Sequence, residues 1–286
     1  MGQRVFGEHD GGSIKKPYAE DFLRKELCGK KRLYMNTEEI LLKKRLLELA
    51  NKSYTNSQYL FTTFLALSEL DLYYQIEREI SYVPVTLFGG TQDCERVMIR
   101  FGSEELFGYE EPFPISCIEI APIIEKFGEQ LSHRDYLGAL MNLGIERSTL
   151  GDIIIIEKTA YLFCTEKMAS YVIDNLEQVR HTHVRCKIAE NVPQSTITKM
   201  ERRNCLVSSA RADSVIAKLY NLSRSQGVEL FRAKRVFING RLNENNSGML
   251  KVGDRISVRG YGKFIYQGTA YETKKGKLSI EVDVYM

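Results

Sequence analysis

Ser223, Arg224 and Ser225 stand in a row where a helical pattern begins, and Lys234, Arg235, Asn239, Arg241 and Lys251 follow closely. Hydroxyls and a guanidinium at a helix start do one kind of chemistry well. Ser223 can cap the helix, the unbonded amides of its first turn face outward, and the helix dipole adds partial positive charge. That combination receives a phosphate. It does not suit bond making: no Ser/His/Asp or paired-carboxylate arrangement can be assigned from spacing, so no catalytic residue is expected. Upstream, Arg211 extends the basic set. From Leu206 to Gly268 there are eleven Lys and Arg against four Asp and Glu, a formal +7, in a chain whose total is only +3. The remaining residues therefore carry −4. Such asymmetry points to an anionic partner for one part of the chain. Little in the segment looks like base readout, so recognition of the backbone and shape of structured RNA is the expected mode.

Other chemistry-bearing residues are weaker candidates. His133 and Arg134 open a second helix and Arg147 follows it; they are candidates for a second RNA contact, with a plain structural role standing beside that reading. His181 and His183 lie near Cys186, but they are two residues apart, no second cysteine is close, and the chain has four histidines in all. A tetrahedral site is not completed, so no metal is expected, and no cofactor either. Six scattered cysteines without a Cys-x-x-Cys pair read as reduced thiols of a cytoplasmic protein. Cys117 and Cys164 fall on apolar strands and should be buried. The longest aliphatic run is Ile153 to Ile156, far short of the roughly 18 residues of a membrane span. The N-terminus lacks the apolar core of a signal peptide. No membrane partner is expected.

The elements that must position these residues can be read from periodicity. Residues 1–34 read as a disordered extension, with Met35 a natural start. Residues 35–82 form a helical N-terminal segment: Ile40 to Leu49 recur at helical spacing, 51–56 reads as a turn, and 59–80 as one or two further helices. Near Pro84 the period switches to two. A hairpin over 83–101, a strand over 115–120, a helix opened by Ser132 with Asp135 in capping-box spacing, strands at 153–156 and 161–164, a helix over 167–176 and a strand over 183–188 follow. Together 83–192 reads as an α+β domain of ferredoxin-like type. Residues 193–205 are polar and read as a linker. From 206 to 286, two short helices precede Val236-Phe237-Ile238, a type I′ turn at Asn239-Gly240, and further short strands. The fold class is thus α+β in three parts, and the protein is expected to be a monomer.

The order Arg211-Ala212-Asp213, Ser223-Arg224-Ser225, Val236-Phe237-Ile238-Asn239-Gly240 and Leu250-Lys251-Val252-Gly253-Asp254 resembles the S4 RNA-binding domain, with Ala where that pattern usually has Leu. His133-Arg134-Asp135-Tyr136-Leu137-Gly138 through Arg147, followed by Gly151-Asp152-Ile153, is similar to the signature of the bacterial YlmH family. The two together cover about 250 residues, from near Met35 to the end. The resemblance implies a cytoplasmic, non-enzymatic protein with a helical N-terminal part, a central RNA-binding domain and a C-terminal S4 domain. It further implies ribosomal RNA of the large subunit as partner, with tRNA or peptidyl-tRNA nearby on obstructed subunits, in ribosome quality control.

The rival class is an S4-bearing rRNA-modifying enzyme. Gly240-Arg241-Leu242-Asn243 is superficially similar to a pseudouridine synthase Gly-Arg-Leu-Asp, but Asn stands where the nucleophilic Asp is required. A methyltransferase needs a Gly-rich turn after a strand, and no Gly-x-Gly run is present. The third class is a tRNA-synthetase appendage, which would need an aminoacylation domain that the sequence does not show, or else a pure protein-interaction adaptor. The adaptor differs in that ribosome binding would survive loss of the basic surface.

Overall fold

Leu46 and Ala50 are fully buried on one face of the first helix, α1 (Thr37–Asn56), with Leu42 and Leu49 packed beside them. The structure, a computed structural model, describes residues 37–92, 94–190 and 200–285. The expectations for 1–34, for Met35 and for 193–199 lie outside the described residues. The turn expected at 51–56 is the last turn of α1. Its cause is Ser53, which is buried and donates its hydroxyl to the Gln58 carbonyl at 2.7 Å, with the Phe101 carbonyl at 3.0 Å. The helix end is thereby held on the neighbouring sheet instead of opening.

That sheet moves a boundary. β1 (Leu60–Phe61), β2 (Val85–Phe88) and β3 (Met98–Phe101) form an antiparallel sheet of order β1-β3-β2, and α2 (Leu67–Ile76) packs on it with α1. The hairpin expected over 83–101 exists, but it belongs to the N-terminal unit, not to the middle domain. Alternation explains why: Ile99 and Phe101 point into the α1/α2 core, whereas Met98 faces the other way, toward Phe64 and Phe163. A four-residue helix, α3 (Glu104–Phe107), closes this unit.

β4 (Ile115–Pro122), α4 (His133–Asn142), β5 (Leu150–Ile156), β6 (Thr159–Thr165), α5 (Glu166–Asn175) and β8 (Thr182–Ile188) follow in βαββαβ order, with the two-residue β7 (Gln178–Val179) at the rim. Sheet order β5-β6-β4-β8-β7, all antiparallel, is the ferredoxin-like arrangement expected from the sequence. Both helices cover one face through Ile118, Ile120, Leu162, Tyr136, Leu140 and Val172. As its spacing predicts, α4 starts at a capping box: the Asp135 carboxylate accepts from the Ser132 amide at 2.8 Å and hydroxyl at 2.6 Å. Cys164 is fully buried and burial pushes its thiol up to about 12; Cys117 is only half-buried.

The C-terminal domain starts earlier than expected. Residues 200–205, read as linker, are most of β9 (Met200–Val207), which pairs along its whole length with β14 (Leu278–Tyr285). The sheet order is β11-β10-β12-β13-β14-β9, with β10 (Val236–Ile238), β11 (Arg241–Leu242), β12 (Arg255–Val258) and β13 (Gly262–Glu272). Two short helices, α6 (Ala212–Leu219) and α7 (Arg224–Arg232), pack on it around Val215, Ile216, Phe231 and Phe264.

The N-terminal unit is the hub. The Arg96 guanidinium donates to the carbonyls of Leu150 (2.8 Å), Phe64 (2.9 Å) and Arg147 (3.0 Å), and the Asp152 carboxylate accepts from the Glu95 and Arg96 amides. Gly90 has φ +109°, and a Cβ there would collide with the Phe163 ring, so only glycine lets the β2–β3 loop lie this close to the middle sheet. On the other side, Leu242 N–H donates to Asp71 (2.9 Å), Ser257 to Glu95 (2.9 Å) and Arg259 to Ser68 (3.1 Å).

Candidate nucleic-acid interface

The basic set divides into residues that face solvent and residues that hold the domain together. Ser223 caps α7 as expected: its Oγ accepts from the Gln226 amide at 3.2 Å while its own N–H donates to the Gln226 side chain at 2.9 Å. Ser225 Oγ sits 3.0 Å from Ser223 Oγ, so both hydroxyls lie at the helix start. Arg224 is exposed and finds no hydrogen-bond or ion-pair partner among the described residues. Lys251 is likewise exposed; its backbone N–H donates to Asp254, which leaves the ammonium in water. Lys234, at the far end of α7 and about 15 Å away along the axis, has only a loose pairing with Glu244 at 3.9 Å.

Four expected contacts are committed inside the chain. Arg211 forms a two-pronged pair with Asp213 (2.7 and 3.1 Å), which is almost fully buried at the start of α6. Burial pushes the Asp213 carboxyl up, but the Arg211 guanidinium and the Asn246 amide outweigh it and hold the group below the usual carboxylate range. Arg235 donates to the Arg259 carbonyl at 2.5 Å and lies over the Tyr261 ring. Asn239 and Gly240 take φ +53° and +79°, the positive values that a type I′ turn demands. The Asn239 amide donates to Asp254 and its carbonyl oxygen accepts from the Arg255 N–H, both at 2.9 Å, so the side chain latches the turn. The fourth is Arg241, which is drawn to the N-terminal unit. It lies 4.4 Å over the Tyr74 ring and pairs with Glu77 at 3.0 Å, because its short edge strand docks on α2.

In the middle domain Arg134 is exposed at the rim of an open groove of about 630 Å³ between α4 and the α5–β7 turn, shared with Arg180 and Asn142. His133 is exposed too; partial burial and the nearby Arg147 lower its imidazole from the ordinary value. Arg147 is engaged within the chain. It is half-buried, donates to the Leu150 and Gly151 carbonyls (2.7 and 3.1 Å), and is pushed down to about 10 by burial and by Arg96, which leaves it charged at neutral pH. Arg96, the residue that joins two units, carries no signal in one sequence beyond its place after a loop. Among the described residues no three His, Cys, Asp or Glu gather around a metal position, and no helix is long and apolar enough to cross a membrane.

The depressed Asp213 carboxyl makes a prediction. A group whose folded pKa lies below its unfolded value adds stability above the unfolded pKa and loses it as pH falls through the folded one. Stability should therefore drop below about pH 4, and Asp213→Asn should flatten that part of the profile. The substitution should also cost about 2–3 kcal/mol at pH 7, because Arg211 loses its charged partner. Urea unfolding between pH 2.5 and 7 measures both, and an unchanged acid limb in the variant would remove Asp213 from the account.

A ferredoxin-like domain joined to two short helices on a curled sheet, in a segment with excess positive charge, makes this an α+β protein with exposed cations at one helix start. Residues 109–192 match the family model described as "Putative RNA-binding domain in YlmH", the family whose signature the sequence resembles. The match begins close to β4, where the sheet topology also places the start of this domain. The chain is 29% identical over 199 residues to "Ribosome-associated protein quality control protein P2" of Bacillus subtilis (strain 168), covering 68% of this chain and 76% of that one. A solved structure, "Cell division protein ylmH from Streptococcus pneumoniae", is 21% identical and covers 56% of this chain and 95% of its own, with a TM-score of 0.43.

Proposed function

We propose that the chain is a non-enzymatic, ribosome-associated RNA-binding protein of the cytoplasm. Its C-terminal domain grips ribosomal RNA of the large subunit, on subunits obstructed by peptidyl-tRNA. The observation that carries this reading is the unpaired Arg224 beside two serine hydroxyls at a capped helix start, with Lys251 and Lys234 also in solvent, inside a segment of +7. The name of the Bacillus subtilis relative, which puts that protein in ribosome-associated quality control, supports the setting. The two serine hydroxyls are bonded to each other and to the Gln226 amide, with no activating base among these partners, which suits holding a phosphate rather than transferring one.

Pelleting the full chain with purified large subunits across a potassium chloride series tests the grip. Three or four phosphate contacts should give a slope of about −3 in log affinity against log salt. Affinity that does not change with salt would overturn the proposal.

A further inference from the structure

The face of the middle sheet turned away from its helices is only half covered. Ile118, Ile120, Leu162 and Val184 point toward α4 and α5, so alternation sends Glu119, Tyr161, Arg185 and Lys187 to the opposite side. Phe163, Ile154 and Cys117 on that side are packed under Phe64 and Met98 of the N-terminal unit. The other half is not: His183, Arg185 and Lys187, in alternate positions along β8, are all exposed, and Tyr161 on the central strand β6 is half-exposed. Register places Tyr161, Glu119 and Lys187 in one row across the strands, with Arg185 in the next row, opposite Ala121. Lys187 pairs with Glu119 at 3.2 Å, which offsets the charge of that carboxylate. Arg185 and His183 have no side-chain partner among the described residues.

We propose that this open half-sheet is a second RNA site, which takes an unpaired stretch of RNA by stacking one base on Tyr161 while its phosphates run along Arg185, His183 and Lys187. The inference rests on the RNA-binding reading above and adds to it a place and a substrate class, single-stranded rather than helical RNA. A ring lying on a sheet accepts any base, because every base has a π-face. The β8 strand runs about 10 Å from β6, close enough for a cation to reach the backbone of a base stacked there. A duplex cannot use the ring, since its bases are already stacked on one another. His133 and Arg134, the sequence candidates for a second contact, sit at the start of α4 on the helical side of this domain.

The test uses the full chain with two probes, an unstructured ten-nucleotide oligouridylate and a stable RNA hairpin, in 50 mM potassium chloride. Tyr161→Ala should weaken oligouridylate binding about 10-fold, Tyr161→Phe should keep it, and hairpin binding should stay unchanged in both. Arg185→Glu, an exposed position that does not threaten the fold, should weaken oligouridylate binding and lower its salt slope by about 0.7. Oligouridylate binding that is absent in the parent chain, or unaffected by both Tyr161→Ala and Arg185→Glu, would overturn the platform. So would a photo-crosslink from position 161 on ribosomes that lands on protein alone. Hairpin binding that survives Arg224→Glu with Lys251→Glu would instead overturn the grip of the C-terminal domain, so the two failures are separable.

Discussion

Reversing the charge of Arg224 and Lys251 together should cost the chain roughly 30-fold in affinity for large ribosomal subunits at 0.1 M salt. The figure follows from counterion release: each phosphate contact contributes a slope of about 0.7 to 0.9, so two contacts supply between about 25- and 60-fold at that concentration. The slope itself should fall by about 1.4 to 1.8. Thermal stability should be unchanged, because neither side chain has a partner among the described residues. Arg235 serves as the contrasting position. Its guanidinium supports the Arg259 carbonyl and lies over Tyr261, so Arg235→Glu should lower stability and binding together. Pelleting and melting measured on the same preparations separate the two cases. Wild-type affinity in the folded Arg224/Lys251 variant would move the RNA contact away from α7.

Charge count alone could not make that distinction. Arg211, Arg224, Arg235 and Arg241 look equivalent in a basic segment, and the structure sorts them by what each neighbour offers. Arg211 has a buried carboxylate two residues on, Arg235 has a carbonyl across the sheet, and Arg241 has the ring of Tyr74, 167 residues earlier in the chain. Only the first of these partners is local enough to be guessed from a pattern. The helix start at Ser223 was legible because a capping box is written within four residues, and the same holds for Ser132 with Asp135. The Asn239-Gly240 turn was legible because two consecutive positive φ values leave few residue choices.

Strand pairing was legible in part. The βαββαβ order of the middle domain follows from alternating periods, and its sheet follows from the order. The assignment of the 83–101 hairpin did not follow, since a strand does not record which sheet it joins. β3 packs apolar side chains on both faces, Ile99 and Phe101 toward α1 and α2, and Met98 toward Phe163. A two-faced strand of that kind sits between layers, and only the structure says which ones. β9 was missed for another reason. Met200 to Arg203 is polar and exposed because it forms a sheet edge, so its composition is that of a linker although every residue from Met200 to Val207 is paired to β14.

Arg96→Met should destabilise the chain by about 2–4 kcal/mol. The side chain keeps its length, but three carbonyls, those of Phe64, Arg147 and Leu150, lose the donor that joins them. Leu150 keeps a bond from the Arg147 guanidinium and the Arg147 carbonyl keeps one from the Leu150 amide, so among the described residues the Phe64 carbonyl is the one left bare. That costs about 1–3 kcal/mol and each of the other two lost bonds about 0.5–1.5 kcal/mol. Partial exposure of the site places the sum in the lower half of that range. Arg96→Lys should recover only part of the loss, since an ammonium cannot span three carbonyls in the plane that a guanidinium fork covers. The effect should also be regional. Arg147, already pushed down to about 10, is relieved of one positive neighbour when Arg96 is removed, so the loss is in hydrogen bonding and not in charge balance. With the fork gone, the β2–β3 loop is held on the middle sheet by the Asp152 carboxylate and by the packing of Phe64 and Met98 on Phe163. Proteolytic cutting near 89–95 should then appear before global unfolding. A loss under about 1 kcal/mol by urea titration, or an unchanged cutting pattern, would show that packing and not this guanidinium joins the two units, because a donor with three carbonyl partners cannot be removed silently from an interface that depends on it.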